Sequence, residues 1–344
     1  MPSARSLPAR ILSLSAGLVL LLAGAGIGAG AFATSMPGSS HHGPLPPRTA
    51  REEQSMIRLQ GDVRELAGDI GERHLARPGT MQKAAAFITS SLTSAGYEPT
   101  RLPYGSNGID VANLEVVLKG TALPDEIVVV GAHYDSADEA PGADDNGSGV
   151  ALLLELARSF KGRPAPRRTL RFVAFANEEP PHFRRDTMGS LVYARGCKER
   201  GDRIVAMLSL ESLGYFKNDE GSQKYPPVVS LAYPSRGNFV GFVGDTPSRG
   251  LVRASVRAFR EAATFPSEGA SLPGKITGVG WSDQWSFWKM GYPGVMVTDT
   301  AIFRNPHYHT PNDRPETLDY DAMARIETGL EAVVAKLVDG DTSW

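Results

Sequence analysis

Apolar residues are not spread evenly along the chain; they fall into runs with two distinct periods. From residue 51 to 70 the apolar positions Met56, Leu59, Val63, Leu66 and Ile70 recur at spacings of three and four, which predicts a helix. A second helix is expected over 81–95, stopped by Gly96. Residues 111–118 and 127–132 read as strands. The second is Val-rich and nearly continuous in its apolar character, as suits a central strand buried on both faces. Further helices are expected over 148–160, with Leu152, Leu153, Leu156 and Phe160 toward the sheet, from 190 to 197, over 250–263 and over 321–338. Further strands are expected over 169–176, 204–210, 228–232 and 294–298. Strands alternating with helices predict an α/β fold: a single three-layer domain, its central sheet mixed but largely parallel and flanked by helices. No repeat and no second composition regime appears after residue 50, so residues 50–344 are read as one catalytic domain.

The N-terminus departs from this pattern. Arg5 and Arg10 precede an uncharged run from 11 to 34 that ends near Ala31-Phe32-Ala33. A basic flank, an apolar stretch and small residues at the end predict a secretory signal peptide. At ~20 residues or more the run also suffices as a membrane anchor, a single N-terminal span. Gly24, Gly26, Gly28 and Gly30 would weaken it as a soluble core helix. Either way the protein is expected to be exported, either anchored or released. Residues 35–49, rich in Pro, Gly and Ser, read as a linker; His41 and His42 in it are taken as solvated.

Composition narrows the function. A net charge of -2 argues against a nucleic-acid partner. A single cysteine, Cys197, permits no intrachain disulfide and reads as a small core residue.

The chemistry-bearing residues gather where strands end. His133 and Asp135 follow the run at 127–130, and Asp144-Asp145-Asn146-Gly147 follows in a Gly-rich turn. Glu178-Glu179 follows the strand at 169–176, and Glu211 follows that at 204–210. His309 lies in a later loop, with His307 as its alternative. Sites in such sheets form at the C-terminal strand ends. Each residue alone has a bland reading: a satisfied core histidine, a turn, a solvated pair. Together, however, two carboxylates at the mouth of a buried strand are costly without a cation, and a metal-bound His usually donates its second N–H to a carboxylate. The set reads as a di-metal site, with His and carboxylate ligands that suit Zn²⁺. His74 is read as structural. Three Trp and a Phe within 281–288 read as core or as a side-chain pocket, with Asp283 among them.

The segments GAHYDS, PGADDNGSGVA, FANEEP, LSLESLGYF and YHTPND, in this order, resemble the co-catalytic di-zinc aminopeptidases, a family of zinc-exopeptidase fold that includes bacterial leucyl aminopeptidases and has glutamate carboxypeptidase and glutaminyl cyclase as relatives. The resemblance implies two Zn²⁺ per chain: His133 and Glu211 on one, Glu179 and His309 on the other, and Asp144 bridging them. It implies Asp135 orienting His133, Glu178 as general acid/base and a cis peptide at Asp144-Asp145. Tyr308 reads as a candidate oxyanion donor or as a packing residue. Peptides would be the substrates, cut at the N-terminus. A carboxypeptidase, a one-zinc cyclase and an inactive binding ectodomain are the alternatives. Glu211 stands where the family often has Asp, and Pro180-Pro181-His182 where many members have a Gly-containing turn.

Overall fold

A computed structural model describes residues 28, 30–106, 108–226, 229–340 and 344. The leader expected over 1–34 falls almost entirely outside the described residues; residues 30–34 of it are helical. Residues 1–35 separate from 36–344 as a unit of their own. No helix among the described residues is long and apolar enough to cross a membrane.

Residues 36–344 build an eight-stranded sheet among the described residues. Its strands are β1 (Thr100–Ser106), β2 (Ile109–Leu118), β3 (Leu123–His133), β4 (Arg168–Phe175), β5 (Arg203–Glu211), β6 (Val240–Gly244), β7 (Ser267–Ser271) and β8 (Val295–Thr298). They lie in the order β1-β2-β4-β3-β5-β8-β6-β7. The centre, β4-β3-β5-β8, is parallel. β2 joins β4 and β6 joins β8 antiparallel, so the sheet is mixed around a parallel core.

The unbroken apolar run in β3 is sorted by strand alternation. Val128 and Val130 face a large core shared with α1 (Ala50–Val63), α2 (Thr80–Ser94), α3 (Gly149–Lys161), α5 (Arg249–Ala262) and α7 (Tyr320–Asp339). Ile127 and Val129 face a smaller core of Tyr193, Ala194 and Cys197 from α4 (Gly189–Arg200) and Phe287 from α6 (Gln284–Lys289). These are the three layers, and Cys197 is buried in one of them.

Several segments differ from the sequence reading. Residues 64–70 continue α1 as a π-helical segment that ends at Gly71, whose φ is +77°. Residues 229–231, expected in a strand, form a 3-10 turn. Strands β1 and β7 have no apolar run to announce them, and the short apolar run of β6 is interrupted by Gly241. The Pro of β1, the glycines of β6 and the small polar residues of β7 are held extended by their neighbours rather than by local propensity. Residues 37–40, expected in a linker, are tied to the sheet edge: Arg260 of α5 donates to the Pro37 and Gly38 carbonyls, and the Ser267 N–H donates to Ser40 Oγ.

One buried side chain sets the exit of β4 toward the site. Asn113 of β2 accepts from the Ala176 N–H at 3.0 Å and donates to the Gly189 carbonyl at 2.8 Å, fixing both ends of the loop that carries Glu178 and Glu179. Asn113→Leu removes both bonds and leaves the buried Ala176 N–H without its partner. We expect it to lower stability by about 1–3 kcal/mol in urea unfolding.

Candidate metal centre

Four central strands deliver the polar residues to one edge of the sheet. His133 ends β3 and Glu211 ends β5. Glu178 and Glu179 follow β4, and Asp299 follows β8. The loop after β3 makes a kinked turn, Ala143–Ser148, that is non-helical at Asp145 and Asn146 and brings in the acidic pair.

Within this pair the structure corrects the expectation. Asp145, not Asp144, faces both histidines. Asp145 Oδ1 lies 3.3 Å from His133 Nε2, and Asp145 Oδ2 lies 3.0 Å from His309 Nε2. Asp144 is turned into the protein, where Oδ1 accepts from the Gly214 N–H at 2.8 Å and Oδ2 accepts from Asn305 Nδ2 at 2.7 Å. With both oxygens so engaged, Asp144 has none to share between two cations. The cis peptide likewise lies one bond later, at Asp145-Asn146.

The remaining ligand candidates divide into two groups that share Asp145: His133, Asp145 and Glu211, and Asp145, Glu179 and His309. In each, one ligand atom per residue lies within 4.8 Å of the others. His133 Nε2 is 3.2 Å from Glu211 Oε2, and His309 Nε2 is 3.2 Å from Glu179 Oε2. Asp135 occupies the position of an orienting group. Its Oδ1 lies 3.4 Å from His133 Nδ1, and its two oxygens accept from the Glu178 and Glu179 N–H groups, each at 3.0 Å. One carboxylate therefore holds a histidine and the backbone of the glutamate pair. Glu178 joins neither group, yet is buried beside them. His307 packs edge-on against Tyr215 with ring centroids 6.0 Å apart, while Tyr308 stacks on the His309 ring at 3.9 Å.

The donor set fits a pair of cations. Asp145 Oδ1 and Glu179 Oε1 are buried with no hydrogen-bond partner in the protein. Asp135, Asp145, Glu178, Glu179, Glu211 and Asp283 crowd one buried region. Burial pushes the Glu178 and Glu179 carboxyls above the usual range, and the neighbouring carboxylates push the same way. His309, held by Asp145 and Glu179, stays protonated well above its ordinary value despite its burial. A divalent ion in each group would replace these protons and relieve the repulsion.

Other residues brought to the site gave little or no sequence signal. Asp313 accepts from the Asp144 N–H at 2.9 Å and from the Asp145 N–H at 3.1 Å, clamping the turn that aims the bridging carboxylate. It was visible only as the last residue of the YHTPND segment. Ser282 donates to Glu211 Oε2 at 2.6 Å. Arg73, in a loop without periodicity, is fully buried and donates to the carbonyls of Leu66, Gly71, Tyr134, Pro141 and Gly142. It ties the end of the π-helical segment to both loops that carry Asp135 and Asp145. Burial lowers its pKa to about 10, which leaves it charged at neutral pH. The aromatic segment after 280 splits: Trp281 lines the cleft beside the site, whereas Phe287 is core.

Known proteins share this arrangement's sequence and fold. A profile of peptidase family M28 matches residues 113–334, more than half of the chain. The chain belongs to peptidase family M28. YfbL of Escherichia coli, an uncharacterised protein, is 36% identical over 83% of this chain and 88% of its own length. Leucine aminopeptidase 1 of Trichophyton rubrum is 30% identical over 61% of this chain. The chain matches only 55% of that enzyme's length. Among solved structures, the zinc aminopeptidase BSAP of Bacillus subtilis superposes with a TM-score of 0.64 at 16% identity, over 87% of this chain and 97% of that one. Glutaminyl cyclases share the M28 fold at TM-scores of 0.59. An M28 chain is a metallopeptidase by family, with peptides as the family's substrates.

The metal-free site makes stability depend on pH in a defined sense. A carboxyl whose folded pKa is raised keeps its proton after the unfolded chain has lost it, so the folded state binds more protons above pH about 4. A histidine with a raised pKa acts in the same direction above about 6.5. Both terms lower stability as pH rises. The metal-free protein is expected to melt lower at about pH 8 than at about pH 5.5, and added Zn²⁺ is expected to raise the melting temperature more at the higher pH. Differential scanning fluorimetry at the two pH values checks both.

Proposed function

We propose that this chain is a di-zinc aminopeptidase that removes residues from peptide N-termini. The observation that carries the proposal is the Asp145 carboxylate, whose two oxygens address two separate His–Glu groups. His133 and Glu211 would hold one zinc, Glu179 and His309 the other, with Asp145 between them. Two such ions supply Lewis-acid polarisation of the scissile carbonyl and an acidified water.

The protein's own residues do the rest. Glu178, buried beside the ligands without being one of them, takes a proton from the attacking water and returns it to the leaving amine. Nearby cations would bring its pKa down and leave it ionised to act as a base. Asp135 fixes that carboxylate's position through the Glu178 N–H and fixes the His133 ring through Nδ1. A two-metal set is the feature that favours an aminopeptidase over a one-zinc cyclase. The retention of Glu178 favours an enzyme over a binding ectodomain. The basic and apolar N-terminus at 5–34 supports export, as a secreted or membrane-anchored protein.

Glu178→Gln tests the assignment with a panel of aminoacyl 4-nitroanilides. It should lower kcat by about 10²–10⁴-fold while zinc content stays that of the wild type. Turnover near the wild-type value would remove Glu178 from the chemistry. Release from N-acetylated peptides alone would exclude the aminopeptidase.

A further inference from the structure

We infer that Glu268 selects a lysine or arginine side chain at the N-terminus of the peptide. The inference rests on the aminopeptidase reading and names its substrate class.

The sheet places Glu268 relative to the metal centre. Glu211 is paired with Thr298 across β5 and β8, Thr298 with Gly241 across β8 and β6, and Gly241 with Glu268 across β6 and β7. Residues directly opposite on neighbouring strands point to the same face. Glu211 and Glu268 therefore stand on one face at opposite ends of a single row. Three strand spacings put their Cα atoms ~14 Å apart. Gly241 lies between them and contributes no side chain, which leaves the floor of the row open; an added Cβ would already meet the Thr298 carbonyl at 3.3 Å.

A cleft occupies this row, lined by Glu211 at one end and Glu268 at the other. Its walls include Tyr225, Tyr233, Trp281 and Phe303. Among the described residues, no Lys, Arg or His lines it, and Glu211 and Glu268 are its acidic residues. Glu211 is committed to the metal centre. Glu268 is thus a carboxylate at the far end of an otherwise largely apolar cleft.

Its other neighbours do not use it up. Arg260 forms an ion pair with it at 3.7 Å, too long for a hydrogen bond. The Arg260 donors go instead to Ser267 O and Oγ and to the Pro37 and Gly38 carbonyls. His42 is a second, weaker positive neighbour. The Glu268 side chain is 24% exposed, and burial raises its pKa above the usual carboxylate range. The hydroxyls of Tyr225 and Tyr233 donate to the Pro234 and Gly269 carbonyls, leaving their rings as apolar and cation-accepting surface.

A lysine or arginine side chain answers each of these features. Its methylene stem, four or five bonds of ~1.5 Å, covers the apolar walls, and its charge meets the carboxylate with charge-assisted hydrogen bonds. A leucine or phenylalanine side chain ends short of Glu268 and forgoes those charge-assisted bonds.

The test uses the zinc-loaded full chain with Arg-, Lys-, Leu- and Phe-4-nitroanilides. Wild type should show higher kcat/KM for Arg and Lys than for Leu and Phe. Glu268→Gln, and independently Glu268→Leu, should lower the Arg-to-Leu ratio of kcat/KM at least tenfold. As a readout apart from turnover, free arginine should inhibit the wild type more tightly than free leucine, and Glu268→Gln should remove that difference. A wild-type preference for Leu, or an unchanged Arg-to-Leu ratio in both variants, overturns the assignment of Glu268 while leaving the aminopeptidase intact. Failure to release any of the four residues overturns the aminopeptidase reading, and this inference with it.

Discussion

The structure depends on one constraint: a single buried carboxylate, Asp145, must present one oxygen to each of two His–Glu groups. That geometry is held from behind. Asp313 accepts from the backbone N–H groups of both acidic residues, and Asp144 turns inward to Gly214 and Asn305. Arg73 ties the surrounding loops together through five carbonyls. The cost of burying so many carboxylates is large without counter-charge. The same arrangement that would be unfavourable without counter-charge would favour cations, so affinity for metal and tension in its absence would share one origin.

The topology explains why these residues meet. Three parallel strands end at the same edge, and each contributes site residues just past, or at, its last residue: His133 on β3, Glu178-Glu179 after β4, Glu211 on β5. The antiparallel strand β6 and its partner β7 then extend the same row beyond β8 and form the floor of the cleft. The candidate metal centre and the cleft are therefore two parts of one surface.

Much of this was legible in the sequence because burial and period coincide there. The run at 127–130 and the amphipathic helices identified the parallel core, and strand-end placement gathered His133, Glu178, Glu179 and Glu211 into one candidate site. The shift from Asp144 to Asp145 was not legible. Both residues are Asp in a Gly-rich turn, and only the backbone path through Gly142 to Asn146, fixed by Asp313, decides which carboxylate points outward. β6 and β7 were hidden for a different reason: glycines interrupt the short apolar run of β6, and β7 is made of small residues and Glu268, so both are extended largely because neighbouring strands hold them so. Glu268 was hidden with them, since nothing local distinguishes it from a solvated surface glutamate.

Isothermal titration of the metal-free full chain with Zn²⁺, comparing wild type with Asp145→Asn and Asp144→Asn, tests the central claim most directly. The account predicts two zinc ions per chain in the wild type, loss of tight binding at both positions in Asp145→Asn, and retention of two ions in Asp144→Asn. Two tightly bound ions in Asp145→Asn, or their loss in Asp144→Asn alone, would contradict it.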